Sequence, residues 1–140
     1  MCLSASAERA YLRFVDLAEK AQRRGDLTNR HCTTLRMVDD ALENVIPRDP
    51  FNRRYALSGA LSNIFRIQKG RLRICWIGSS EYGRICILFI SETLRKAGDV
   101  NDPYKLLTSL LMSGELDPWF EELGVRNPRG IRTTYPILTQ

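Results

Sequence analysis

Two amphipathic segments open the chain and predict a helical hairpin. Apolar residues recur at helical spacing over residues 6–24, and Gly25 supplies a stop signal. A second segment, at residues 28–45, is expected to end before Pro47, because a proline disfavours the helical conformation of the residue before it. A short turn at Gly25-Asp26 would bring the two helices side by side. No strand is predicted before the first helix.

The pattern then changes from a helical period to an alternating one. Three runs predict antiparallel strands at residues 63–68, 71–77 and 84–91, joined by a tight turn at Lys69-Gly70 and a longer turn at residues 78–81. The third run is apolar on both faces, which is typical of a central strand. Alternation divides the second run between two faces, with Leu72, Ile74 and Trp76 on one and Arg71, Arg73 and Cys75 on the other.

Two helix starts follow the strands. Asp102-Pro103 and Asp117-Pro118 each combine a capping residue with a proline suited to the first turn, and glycines end both segments. Residues 125–140 have weak periodicity and are expected to form a tail or an arm onto a partner. The element order predicts one α+β domain at residues 1–124, with the helical hairpin and the C-terminal helices on one face of a small antiparallel sheet.

Composition excludes several classes of protein. With 140 residues, 44% hydrophobic and 26% charged, the chain is too apolar for wholesale disorder and has the length of one domain. No apolar run reaches the roughly 18 residues of a membrane span, and the first residues do not resemble a signal segment, so a cytoplasmic location is expected. The four cysteines and the single histidine lack metal-ligand spacing, so we expect reduced thiols, no metal and no cofactor.

Positive charge is concentrated in one part of the chain. The net charge is +5, from 21 basic and 16 acidic residues. Planar guanidinium groups of one sign suit phosphate binding, although a solvated basic face without a partner remains an alternative. Residues 48–73 contain one acidic residue, Asp49, and seven basic residues: Arg48, Arg53, Arg54, Arg66, Lys69, Arg71 and Arg73.

The motifs of common enzyme classes are missing from the sequence. There is no phosphate-binding GxxxxGK loop and no nucleophile elbow. The residues present suit a reaction in which the 2′-hydroxyl of RNA attacks the neighbouring phosphorus, since the protein then only orients, moves protons and stabilises charge. Arginine stays protonated, so proton transfer would need Lys69, Glu92 or Tyr104.

Several of these residues belong to a pattern that resembles a known family. The segments Leu57-Ser58-Gly59, Phe65-Arg66 and Arg71-Leu72-Arg73-Ile74 are similar to the basic sheet of YhaV-type toxins, in the RelE/ParE toxin–antitoxin superfamily. The likeness covers roughly residues 30–123. The residues that resemble the C-terminal half of that family are Thr93-Leu94-Arg95, Gly98, Asp102, Tyr104, Leu111, Gly114, Asp117 and Trp119.

The resemblance implies a RelE-like fold with a sheet of three to four strands, and a strand before the first helix that the pattern does not predict. It implies a metal-independent endoribonuclease that cleaves mRNA, commonly on the ribosome, and is inhibited by a cognate antitoxin. Arg66, Arg73 and Arg95 would hold the scissile phosphate. Lys69 or Glu92 would be the base, and Tyr104 would stack on a base or assist a proton. Further candidates for RNA binding are Arg53, Arg54, Arg71, Arg84 and Lys96.

Two alternatives to a ribonuclease remain open. The first is a non-catalytic relative that binds RNA, the ribosome or a protein target such as gyrase through the same basic face. The second is an α+β interaction module whose basic face meets an acidic partner.

Overall fold

Four strands form one mixed sheet in the computed structural model, which describes residues 1–92 and 103–128. The strands are β1 (Cys2–Leu3), β2 (Phe65–Lys69), β3 (Leu72–Ser79) and β4 (Arg84–Glu92), in the spatial order β1-β4-β3-β2. The antiparallel pairing of β2, β3 and β4 is confirmed. The expectation of a wholly antiparallel sheet is wrong, because β1 runs parallel to β4.

The strand β1 precedes the first helix, α1 (Ala5–Arg23), contrary to the sequence prediction. Ser4 joins the two elements and is only 1% exposed. Its backbone N–H donates to the Ile87 carbonyl at 2.8 Å, and its hydroxyl donates to the Leu88 carbonyl at 2.9 Å. The same hydroxyl accepts from the Ala7 N–H at 3.1 Å and so caps the helix. A strand of two residues has no period to detect, which explains why the pattern missed it.

Replacing Ser4 by alanine is expected to lower the free energy of unfolding by about 1–3 kcal/mol, because the variant loses both the helix cap and the donor to Leu88. Urea denaturation with an unchanged slope would measure the loss. Ser6→Ala, two residues further along and already inside α1, is the matched control and should change the stability by less than about 0.5 kcal/mol. Equal effects of the two substitutions would contradict the linking role of Ser4.

The second helix does not end where the sequence predicted. The helix α2 (Arg30–Asp40) continues into a π-helical turn (Ala41–Val45) and then a short helix α3 (Ile46–Arg48) that contains Pro47. Ile46 keeps helical angles, with φ −66° and ψ −48°, and its N–H reaches back five residues to the Ala41 carbonyl. In a regular helix the proline ring would clash with the carbonyl of the preceding turn. The wider π-helical turn changes the position of that carbonyl.

Helices cover both faces of the sheet, not one face as predicted. The face on which α1 and α2 pack is called here the hairpin face, and it carries Phe65, Ile67, Leu72, Ile74 and Trp76. The opposite face, called the C-terminal face, packs against α4 (Pro103–Ser113) and α5 (Asp117–Leu123), and it carries Cys75, Ile77, Cys86, Leu88 and Phe89. Because β4 is apolar on both of its sides, both faces of the sheet need a covering layer.

The C-terminal helices begin near the two predicted starts. Asp117 is the first residue of α5 and not its cap, and its carboxylate accepts a hydrogen bond from the Asn127 side chain at 2.8 Å. Gly124 ends α5 with a φ of 68°, as glycine does at many helix ends. No helix within the described ranges has the length and apolar character needed to cross a membrane.

Candidate nucleic-acid interface

The register of the sheet brings Arg66 and Arg73 together. Arg66 lies opposite Cys75, and Arg73 lies two residues before Cys75 on the same strand. The two arginines are therefore diagonal neighbours on the C-terminal face, where such positions are about 7 Å apart. Arginines at diagonal positions of one sheet face can reach one phosphate or two successive ones. These two residues are called here the arginine pair.

Arg66 lies on β2, the outermost strand, and Arg73 lies on the neighbouring strand β3, close to the turn that joins the two. Both side chains are half-buried. Arg73 donates from Nη1 to the carbonyls of Gly70 and Leu72, at 2.7 and 3.2 Å. Gly70 has a φ of 57°, which the two-residue turn between β2 and β3 requires. The turn therefore orients the guanidinium of Arg73 at the end of the sheet.

Lys69 and Glu92, the two predicted bases, lie on the hairpin face and not beside the arginine pair. Both are register neighbours of Leu72, which is buried against the helices. Lys69 forms an ion pair with Asp40 at 3.4 Å. The hydrogen bond from Asn44 and the adjacent Lys69 hold the pKa of the Asp40 carboxyl below its usual value.

The carboxylate of Glu92 is held by α2. It accepts a hydrogen bond from the Thr34 hydroxyl at 3.1 Å, and Arg30 lies 3.7 Å away. The sheet itself thus separates Glu92 and Lys69 from the arginine pair. Their sequence proximity to the arginines suggested one cluster, but the alternation of side chains along the strands divides it into two.

A cysteine lies on the C-terminal face beside Arg66. Cys75 is fully buried, and this burial raises the pKa of its thiol to about 12, against a smaller opposing effect of Arg66. Burial likewise raises the pKa of Cys86. Both thiols stay protonated near neutral pH and are poor nucleophiles. The four cysteines are free thiols, as the sequence led us to expect.

The remaining basic candidates are dispersed. The Arg53 guanidinium lies 5.7 Å from the Phe65 ring centroid, and that of Arg54 lies 4.9 Å from the Tyr55 ring centroid. Arg71 is exposed in the turn before β3. Arg84 forms a 2.5 Å ion pair with Glu122 of α5, so a contact within the domain already uses its charge.

Three predicted residues are outside what the structure describes. Arg95 and Lys96 lie outside the described ranges, and Tyr104 is the second residue of α4, with its side chain also outside the description. Among the described residues, no group of three or more His, Cys, Asp or Glu side chains has the arrangement of a metal site.

Sequence reasoning missed a cleft that opens where β2 begins and β3 ends. Its volume is about 440 Å³, and aromatic and basic residues form much of its lining. The contributing residues are distant in sequence, so no motif connects them; the neighbouring Phe51 and Arg53 were the one local signal. The lining residues include Phe51, Arg53, Phe65, Gly78, Val125 and Arg126.

Comparison of the chain with models of protein families, with curated proteins and with solved structures finds no match.

Proposed function

We propose that this chain is a cytoplasmic toxin of the RelE/ParE type, an endoribonuclease that cleaves mRNA. A 2′-hydroxyl attacks the scissile phosphate, the bond from phosphorus to the 5′-oxygen breaks, and Tyr104 assists the proton transfer. The arginine pair carries this proposal, because the register makes the two arginines diagonal neighbours on one face of the sheet. Planar guanidinium forks bind phosphate oxygens in a bidentate manner. They also stabilise the charge that develops as phosphorus is attacked.

The order of elements supports the same proposal. The strand β1 supplies the element that this family has before its first helix, and the hairpin, three strands and C-terminal helices follow. The hairpin covers the face opposite the arginine pair, and the two arginine side chains are half-buried on the C-terminal face.

A cognate antitoxin and the ribosome are the proposed partners. Within residues 1–92 and 103–128, no carboxylate lies within 4.0 Å of Arg48, Arg53, Arg54 or Arg71. These charges suit both ribosomal RNA and an acidic inhibitor segment. A neighbouring gene that encodes a small acidic or DNA-binding protein would support the antitoxin.

A second candidate is a non-catalytic relative that binds RNA through the same arginine pair. The location of Lys69 and Glu92 on the hairpin face favours it, because two of the three predicted proton carriers are then remote from the phosphate. Such a protein would bind RNA with an affinity that falls linearly on a log–log plot against salt, and would leave the RNA intact.

Expression without an antitoxin, together with incubation of the purified protein and RNA, tests both candidates. Growth arrest with shortened transcripts that end in a 2′,3′-cyclic phosphate supports the endoribonuclease. Salt-dependent RNA binding without cleavage supports the second candidate. If the protein neither binds RNA nor cleaves it, both candidates are overturned.

Substitution of the two predicted bases is expected to have little effect. Lys69→Gln and Glu92→Gln should each change the rate of RNA cleavage by less than about threefold, below the effect of a lost catalytic acid or base, which is about 10²–10⁴. Glutamine at position 92 retains an acceptor for Thr34, so the fold should be kept. Cleavage rates at several pH values check this, and a loss of about a hundredfold in either variant would return that residue to the site.

A further inference from the structure

The floor of the cleft at the start of β2 is a set of packed aromatic rings. Phe51 contacts Phe65 edge to face, with centroids 6.0 Å apart, and Phe65 stacks on the buried Trp76 at 5.9 Å. Phe65 and Trp76 are buried, whereas Phe51 is only partly covered and lines the opening. The volume of about 440 Å³ lies in the range of about 300–1,000 Å³ that is typical of small-ligand sites.

The ring of Phe51 is held in place from two sides. It lies against Gly78, where a Cβ atom would come within 2.7 Å of Phe51 Cε1, so only glycine leaves room for it. The indole N–H of Trp76 donates to the carbonyl of Pro50 at 2.9 Å and fixes the backbone just before the ring. The aromatic surface is therefore positioned before any ligand binds, which lowers the entropy cost of binding.

Two arginines flank the aromatic floor. Arg53 is exposed, and its guanidinium lies over the Phe65 ring. Arg126 is exposed on the segment after α5, and the side chain of Asn63 holds its backbone carbonyl at 3.3 Å. No carboxylate in the described ranges lies within 4.0 Å of either arginine, and no acidic residue is part of the described lining.

We propose that this cleft binds one nucleotide of a single-stranded RNA, with its base against Phe51 and its phosphate between Arg53 and Arg126. Unpaired bases of RNA commonly stack on aromatic rings while arginines contact the backbone. The inference rests on the proposed function for the choice of RNA as the ligand. The cleft would give the protein a second RNA contact besides the arginine pair. Gly78, which lines the cleft, lies five residues along β3 from Arg73, or roughly 17 Å away.

Fluorescence anisotropy with a labelled single-stranded RNA of about 12 nucleotides tests the cleft. Phe51→Leu keeps an apolar side chain but removes the aromatic face, and it should weaken binding about tenfold. The double variant Arg53→Ala/Arg126→Ala changes exposed residues only. It should also weaken binding about tenfold and reduce the slope of log affinity against log salt by about 0.7, which corresponds to one phosphate that is no longer neutralised. Arg13→Ala, which removes an exposed arginine from α1, is the matched control and should bind as the unchanged protein does.

The same measurement with an abasic RNA separates stacking from phosphate binding. Without bases, Phe51→Leu should bind as tightly as the unchanged protein, whereas the double arginine variant should still bind more weakly. A loss with Phe51→Leu that is equal for abasic and ordinary RNA would overturn the stacking of a base in the cleft.

The outcomes also distinguish the cleft from the proposed function. Full affinity in either cleft variant, with reduced affinity in Arg73→Ala, would overturn the cleft proposal and leave the arginine pair as the RNA site. Failure of the unchanged protein to bind RNA would overturn both.

Discussion

Replacing Arg73 by alanine is expected to abolish growth arrest and to lower the rate of RNA cleavage by about 10²–10³, the loss typical of one group that stabilises developing charge. Arg66→Ala should have an effect of the same order, since the two arginines occupy diagonal positions on one face. Arg73 is half-buried, and its described bonds go to carbonyls of its own turn, at Gly70 and Leu72. Its loss should therefore affect the ligand far more than the core.

Single-turnover cleavage of a defined RNA and growth after induction measure these effects, and thermal unfolding checks that each variant is folded. Arg13→Ala removes the same charge from the outer side of α1 and should remain fully toxic. By the family resemblance, Arg95→Ala should also abolish toxicity. Persistent toxicity in both Arg73→Ala and Arg95→Ala would show that the phosphate is held elsewhere.

If the protein binds RNA without cleaving it, the same variants give a different result. Each lost phosphate contact should reduce the slope of log affinity against log salt by about 0.7 for a single strand. Substitution of the arginine pair would then change the RNA affinity, and no RNA cleavage would be measured.

The long elements of the fold were predictable because their periods are long enough to detect. The hairpin helices, the three antiparallel strands and the C-terminal helices all follow from the pattern of apolar residues. The strand β1 has two residues and is defined by its pairing with β4, a long-range contact that leaves no local signal. The π-helical turn allows Pro47 to lie within a helix, although a proline usually disfavours the helical conformation of the residue before it. This turn likewise leaves no local signal in the sequence.

The candidate site was predictable in part. Alternation along β3 correctly separated Arg73 and Cys75 from Leu72 and Ile74, because one strand has a fixed parity. The position of Arg66 required the register between β2 and β3, which the sequence does not specify. Lys69 lies three residues from Arg66 on the same strand, so alternation places it on the opposite face, the hairpin face.

The aromatic cleft was not predictable because it is assembled from four separate parts of the chain. Phe51 precedes β2, Phe65 begins β2, Gly78 is the next-to-last residue of β3 and Arg126 follows α5. Only the packing of the two helical layers on opposite faces brings the end of α5 near the start of β2. A sequence prediction with all helices on one face could not place them together.

Trp76→Ala is expected to have the largest effect on stability, lowering the free energy of unfolding by about 3–5 kcal/mol. Trp76 is fully buried and lies at the centre of the hairpin-face core. It stacks on Phe65 and meets Tyr55 edge to face at 5.6 Å, so alanine would leave a cavity lined by aromatic rings. Because single domains are stable by only about 5–15 kcal/mol, the loss should be evident in the urea midpoint.

Trp119→Ala is the control for this substitution, since Trp119 is only partly buried on α5 and packs on the opposite face. It should cost clearly less than Trp76→Ala, and equal costs would contradict the central position of Trp76. Trp76→Phe keeps an aromatic ring but loses the hydrogen bond to Pro50. This variant should be folded and yet bind single-stranded RNA more weakly, because the backbone that positions Phe51 loses its anchor. A stable Trp76→Phe variant with unchanged RNA affinity would show that packing alone holds the cleft.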